Sequence, residues 1–390
     1  MSLSGLPVRP PVAPMLARLS RQLPEGPGLF YEPKWDGFRA VVFKDGAEVE
    51  VTSRNELSLT RYFPELVAVL RQALPEQVVL DGEVVVAGPD GLDFDALSQR
   101  LHPAESRVRQ LAKRTPASFV AFDLLALGAR DLRAAPFVER RRLLTEVLGT
   151  VPFAHPPGVH LTPATRDPAQ ARDWFERFEG AGLDGVVAKA EDLAYLEGKR
   201  AMVKVKHERT AEFVVAGYRP YRASARGTDG PGEVGSLLLG LYLPTGDLAH
   251  VGVIGAFSAD ERRRLAVELA PYKPRDEGEA SRHPWASWAR PRAGEARAPG
   301  ARSRWNSGKD LSFEALRPEL VVEAAYEHLQ GPRLRHTAQF RRWRPDRAPR
   351  SCTYEQLAAV VPVELGEVFG AGGPASGTAG ASGAAVAGAD

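Results

Sequence analysis

Between residues 28 and 209, short apolar runs alternate with stretches of helical spacing. Ala40-Val41-Val42-Phe43, Val78-Val79-Leu80, Val84-Val85-Val86 and Phe119-Val120-Ala121-Phe122 are rich in β-branched and aromatic residues and predict strands. Phe63 to Leu74 and Asp173 to Gly180 carry their apolar residues at helical spacing and predict helices. The mixture reads as an α+β domain built on antiparallel sheets. After Lys206-His207 the texture changes. Phe213 to Tyr218, Leu237 to Leu243, Leu248 to Ile254 and Val321 to Ala325 predict strands of a small barrel. Ser258-Ala259-Asp260-Glu261 has the shape of a capping box and opens a helix over Arg262 to Leu269. Short strands with one helix fit an oligonucleotide-binding (OB) barrel, and a generic β-domain fits nearly as well.

Two segments break the pattern. Pro271 to Arg304 is rich in Pro, Gly and Arg and predicts a long loop. Gly370 to Asp390 is almost wholly Gly, Ala, Ser and Thr, too poor in large apolar residues to bury a core, and is expected to be disordered. The expected domains are therefore 1–209, 210–352 and a C-terminal segment 353–390.

Composition narrows the class. At 390 residues, 44% hydrophobic and 26% charged, the chain has room for two cores. No apolar run approaches the ~18 residues that would cross a bilayer. The N-terminus lacks a basic segment leading into an apolar stretch, so neither a secretory signal nor a membrane partner is expected, and the chain reads as cytoplasmic. The single cysteine, Cys352, excludes an internal disulfide and a cysteine zinc site within one chain. Net charge is only +2, yet seven arginines and one acid, Asp346, lie between Arg333 and Arg350, interleaved with Phe340, Trp343 and Pro345. Such a cluster suits polyphosphate or a nucleic-acid backbone.

Candidate chemistry centres on Glu32-Pro33-Lys34-Trp35-Asp36-Gly37-Phe38-Arg39. Its simplest reading is a hairpin turning at Asp36-Gly37. A second reading sets an amine beside a carboxylate, a tight turn and a guanidinium, a kit for holding a nucleotide phosphate against a nucleophile. Leu80-Asp81-Gly82-Glu83-Val84, taken alone, is another turn between two strands. Phe122-Asp123-Leu124-Leu125 places an aromatic in a buried run, and Asp184-Gly185-Val186-Val187-Ala188-Lys189 offers a further acid and lysine. In Met202-Val203-Lys204-Val205-Lys206 the period of two turns both lysines to one face, where they repel unless an anion lies between them.

In this order and spacing, over roughly residues 10 to 352, these segments resemble the motifs of the covalent nucleotidyltransferase superfamily. The whole set is most similar to the short C-type bacterial ATP-dependent DNA ligases. The resemblance implies a nucleotidyltransferase (ATP-grasp-like) adenylation domain followed by an OB-fold domain. It implies ATP as substrate and Lys34 as the amine that takes AMP. Arg39, Arg54 and Glu83 would hold ribose and phosphates, Phe122 would stack on adenine with Glu32 near the base, and Lys204 and Lys206 would bind the α-phosphate. Glu83 and Asp184 would hold Mg²⁺, or Mn²⁺ in its place. Arg344, Asp346 and Arg347 would orient the leaving pyrophosphate. Two departures stand out: Asp184-Gly185 where the family usually has Glu-Gly, and Asp346-Arg347 where it usually has Asp-Lys.

The resemblance further implies nicked duplex DNA as partner, a monomer associated with the nucleoid, and dependence on a repair or end-binding protein. With 33 residues before Lys34 and no cysteine zinc site, NAD⁺ is not the expected adenylate donor. The rivals are an RNA ligase, a GTP-using capping enzyme and a non-catalytic nucleic-acid-binding protein.

Overall fold

Alternating apolar positions on both faces of a strand require cover on both sides, and the first half of the chain supplies it with two sheets and a layer of helices. In the computed structural model the described residues are 3–89, 91–149, 157–221, 233–289, 312–327, 329–330, 332–334, 336–357 and 362–371. Contacts divide them into a first unit, Met1–Lys206 together with the chain from Val360 onward, and a second unit, His207–Ala359.

The large sheet of the first unit runs in the order Glu48–Ser53, Phe38–Asp45, Gln77–Gly88, Ala117–Leu127 and Arg130–Asp131. Its long strands pair antiparallel, and Val159–Leu161 adds in parallel to Ala117–Leu127. Ala40, Val42, Val84, Phe119 and Ala121 face one way and pack with Leu66 and Leu70 of helix Pro64–Ala73 and Leu144 of helix Phe137–Leu148. Val41, Phe43 and Val79 face the other way and pack with Met15, Tyr195 and Met202. A smaller sheet lies on that second side, ordered Leu16–Ser20, Arg200–Val205, Val186–Ala190 and Leu29–Pro33. Its first pair is parallel and the rest antiparallel.

Two expected turns are not turns. Val78–Leu80 and Val84–Val86 belong to one continuous strand, Gln77–Gly88, that runs straight through Asp81-Gly82. Glycine is needed at 82 because an added Cβ would lie 2.3 Å from the Phe119 ring and 2.4 Å from the Val120 carbonyl oxygen. Asp36-Gly37 likewise joins no hairpin, since the strands on either side of it lie in different sheets. Helix Pro168–Arg177 starts earlier than its apolar spacing indicates, because Asp167 caps it through the Ala169 amide and Pro168 takes the first position.

In the second unit, strands Leu248–Ile254, Val234–Tyr242, Arg209–Pro220, Glu314–Tyr326 and Gln339–Trp343 pair antiparallel in that order. The edges meet where the Ala338 amide donates to the Val253 carbonyl at 2.9 Å, so the sheet closes as a barrel. Helix Ala259–Leu269 opens with both bonds of the Ser258/Glu261 capping box. The stretch from Pro271 is not a plain loop over its described part. It forms helices Glu277–Arg282 and Ala286–Ala289, and they carry Trp285, 1% exposed, into the barrel core. The expected C-terminal segment falls partly on described residues: Leu365–Gly370 is a short helix of the first unit, and residues 372–390, expected to be disordered, lie outside the described residues.

Candidate active site

Lys34 stands where the chain leaves the small sheet for the large one, directly after strand Leu29–Pro33. Its backbone is pinned from both sides: the Lys34 amide donates to the Gly185 carbonyl at 2.8 Å, and the Asp184 amide donates to the Lys34 carbonyl at 2.9 Å. Gly185 has φ +127°, and a Cβ there would fall 2.0 Å from the Val205 carbonyl oxygen. Only glycine lets Asp184 approach so closely. The Lys34 ammonium donates to Asp184, and the same carboxylate oxygen meets the Lys206 ammonium at 2.8 Å. The protein itself thus supplies an anion between Lys34 and Lys206, rather than between the strand neighbours Lys204 and Lys206.

The large sheet forms the facing wall. Arg39 and Glu83 are direct cross-strand partners. Asp81, fully buried, receives the Arg39 guanidinium through two bonds of 2.7 and 2.6 Å and the Tyr195 hydroxyl at 2.6 Å. Burial opposes the charge on Arg39, but Asp81 outweighs it and raises its pKa above the ordinary value. The guanidinium lies 4.2 Å from the centroid of the Phe122 ring. Phe122 itself sits at a register shift, where Asp123 and Ala121 pair with consecutive residues Asp81 and Gly82. It is the extra residue of a bulge, a device that re-aims a side chain beside a site.

Glu32, 2% exposed, bridges two cations: Lys189 at 2.8 Å and Arg141 at 3.3 Å. Lys189 also donates to the Phe122 carbonyl at 2.8 Å, and Arg141 to the Thr162 carbonyl at 2.6 Å. These bonds tie the strand that leads into Lys34 to the strand that carries the Phe122 ring.

A cavity of about 460 Å³ opens between these walls. Glu32, Lys34, Arg39, Arg54, Glu83, Phe122 and Lys204 all line it, together with Trp35 and Lys189. Arg54 reaches it from an exposed turn after strand Glu48–Ser53. Burial pushes the Glu83 carboxyl up to about 7, against the pull of Arg39 and Lys34. Burial first, then the Lys34 and Lys206 ammonium groups, push Lys204 down. Lys204 is therefore held charged at a cost that a nearby anion would relieve. Among the described residues no three His, Cys, Asp or Glu side chains cluster as a metal site.

Arg344, Asp346 and Arg347 belong to the second unit. Asp346 takes Arg344 in two bonds of 2.9 and 2.8 Å, and Arg344 also meets Glu212. Arg344 pulls Asp346 down to about 2. Arg342 pairs with Glu323 at 2.9 Å and Arg341 with Glu208. Three of the seven arginines in the basic run, Arg341, Arg342 and Arg344, thus meet acids on or beside neighbouring strands. Asp81 enters the sequence reading only as part of a turn, and Tyr195 and Arg141, which carry no local signal, do not enter it at all.

Residues 14–206 match the ATP dependent DNA ligase domain family, and residues 230–347 match the ATP dependent DNA ligase C terminal region. DNA ligase C of Mycobacterium tuberculosis is 55% identical over 365 residues, covering 93% of this chain and 98% of that protein. A multifunctional non-homologous end joining DNA repair protein, LigD, of the same organism is 35% identical over 244 residues, which cover 62% of this chain and 29% of that one. A solved structure of a Lig E DNA ligase shares the fold, with a TM-score of 0.51 at 19% identity over 85% of this chain and 99% of that one. With its adenylation-type sheets, its barrel and these relatives, the chain belongs to the ATP-dependent DNA ligases, among the short bacterial C-type enzymes.

Proposed function

We infer that the chain seals 5′-phosphate/3′-hydroxyl nicks in duplex DNA at the expense of ATP, through a covalent adenylyl-lysine at Lys34. The observation that carries this reading is the Lys34 amine, backbone-pinned and lining a cavity with Lys204, Arg39 and a half-buried carboxylate. Free lysine has a pKa near ~10.4, so the amine must first surrender a proton to become a nucleophile. Its lone pair then attacks the α-phosphorus of ATP. The P–N bond forms as the bond to the bridging oxygen breaks, and pyrophosphate leaves with the electron pair. An oxygen of the nick's 5′-phosphate next displaces the lysine nitrogen, which regains a proton. The 3′-hydroxyl finally attacks that phosphate, loses its proton and expels AMP.

In this reading Lys204 and Lys206 stabilise charge on the α-phosphate, and Asp184 holds Lys34 and Lys206 in register until phosphate arrives. Phe122 offers a ring face to adenine, and Arg39, braced by Asp81, approaches the sugar-phosphate. Arg344 and Arg347 orient pyrophosphate, with Asp346 keeping the Arg344 fork in shape. A divalent cation such as Mg²⁺ fits the donor chemistry: hard oxygens of Glu83 and, by exchange, Asp184, with the remaining positions filled by phosphate and water. Bound there, it would neutralise charge on the phosphates. A part in repair is supported by the likeness to an end-joining repair protein.

A singly nicked duplex incubated with ATP, NAD⁺ or GTP in turn tests the reading. Sealing with ATP alone is expected. Sealing with NAD⁺ or GTP but not ATP, or sealing only when the nicked strand is RNA, would overturn it.

A further inference from the structure

Helix Leu365–Gly370 has six residues, far below the length at which a helix holds itself together in water, so packing must hold it. Leu365, 9% exposed, and Val368, fully buried, join the same apolar cluster as Tyr31, Trp35, Phe122, Trp174 and Phe178. Two polar contacts fix the ends of the segment: Arg177 meets Glu367 at 2.9 Å, and Gln170 donates to the Ala371 carbonyl at 3.1 Å. Its most telling contact is aromatic. The Phe369 ring stacks on Trp35 with centroids 4.9 Å apart and planes 25° apart.

Trp35 is the residue after Lys34 and lines the same cavity. Its indole donates to the Thr162 hydroxyl at 2.8 Å, which fixes the edge of the ring, while Phe369 covers a face. The Lys34 backbone is already held through both its amide and its carbonyl by Gly185 and Asp184. With Trp35 clamped as well, the nucleophile has little freedom to swing.

We propose that Phe369 is a positioning residue for the lysine nucleophile: the C-terminal helix returns to the first unit and clamps Trp35, which fixes where the Lys34 amine points. The inference rests on the adenylyl-lysine reading and deepens it by giving the segment beyond the barrel a part in the first step. A displaced nucleophile reacts slowly even when every group that touches ATP is intact.

The experiment uses the full chain and separates two rates. Self-adenylation from labelled ATP needs the Lys34 amine, whereas sealing of a nick already carrying 5′-adenylate does not. Phe369→Ala should slow self-adenylation on the order of tenfold, leave sealing of the pre-adenylated nick within about twofold, and leave the KM for ATP nearly unchanged. Phe369→Leu, which keeps an apolar side chain in place should the alanine variant unfold, should show the same split, and Phe369→Tyr should restore the rate. Equal loss of both rates, or unchanged self-adenylation in a folded variant, would overturn the proposal. If the unmodified chain takes no label, the adenylyl-lysine reading fails instead.

Discussion

Two clusters of charge in this protein look alike as sequence and behave differently as structure. In the first-unit cavity, Lys34, Lys204 and Lys206 crowd around one carboxylate while Glu83 sits against the opposite wall, and burial works against the charged forms: Glu83 rises to about 7 and Lys204 falls. On the second-unit strand, Arg341, Arg342 and Arg344 meet Glu208, Glu323 and Glu212, and the fork of Arg344 on Asp346 favours the charged form of both, with Asp346 held near 2. Solvent-exposed pairing fixes geometry and costs little. Desolvation leaves Glu83 and Lys204 in need of a counter-charge, which is the pattern expected of a ligand site.

The contrast breaks most sharply at Lys34, the proposed nucleophile. Lys34→Arg keeps a cation beside Asp184 but supplies no usable lone pair, so labelling by α-labelled ATP should fall by at least about three orders of magnitude on a denaturing gel. Next comes the shared acid. Asp184→Asn leaves the Lys34 and Lys206 ammonium groups beside each other without their common anion, and single-turnover adenylation should drop on the order of a hundredfold; an unchanged rate would remove Asp184 from the mechanism.

Glu83 sharpens the comparison through pH. Its native carboxyl keeps a proton up to about pH 7, so if the ionised form serves the phosphates, kcat/KM for self-adenylation should climb through pH 7 and level above it. Glu83→Gln should be slow and lack that limb. Stability carries the opposite sign. The unfolded carboxyl ionises near 4.5 and the native one near 7, so the native state binds the extra proton between them. Its contribution is full below pH 4.5 and is lost as pH rises through 7. Urea titrations of the wild type and Glu83→Gln between pH 5 and 8 should therefore diverge in that direction. The smallest effect belongs to the exposed pair: Arg342→Ala should cost about 0.2–1 kcal/mol by thermal unfolding, less at high salt. A cost well above that would mean the arginine strand is under the same kind of strain as the cavity.

What was legible of the candidate site came from the order of its motifs and their resemblance to a known family, since each run taken alone reads as core or turn. Lys34, Glu83, Phe122 and Lys204 line one cavity, and Asp184 and Lys206 reach it through an ion pair. The strands of both units followed their apolar runs, and the Ser258 capping box formed as spelled. What escaped was set by distant partners. Asp81-Gly82 reads as a turn until the Phe119 ring shows why a glycine must lie flat in a strand. The arginine run reads as a free basic face until strand register brings Glu323 opposite Arg342. Trp285 reads as a loop residue in a Pro-rich stretch, and only the barrel it plugs reveals it as core. The helix at Leu365 has too few residues to announce itself and exists by virtue of what it covers.

The central claim is a covalent bond, so the most direct measurement is a peptide-resolved mass spectrum of the protein after incubation with ATP and Mg²⁺. The account predicts an adenylyl group on the peptide bearing Lys34, lost on adding pyrophosphate. Intact, unmodified Lys34 in a preparation that nevertheless seals nicks would contradict it.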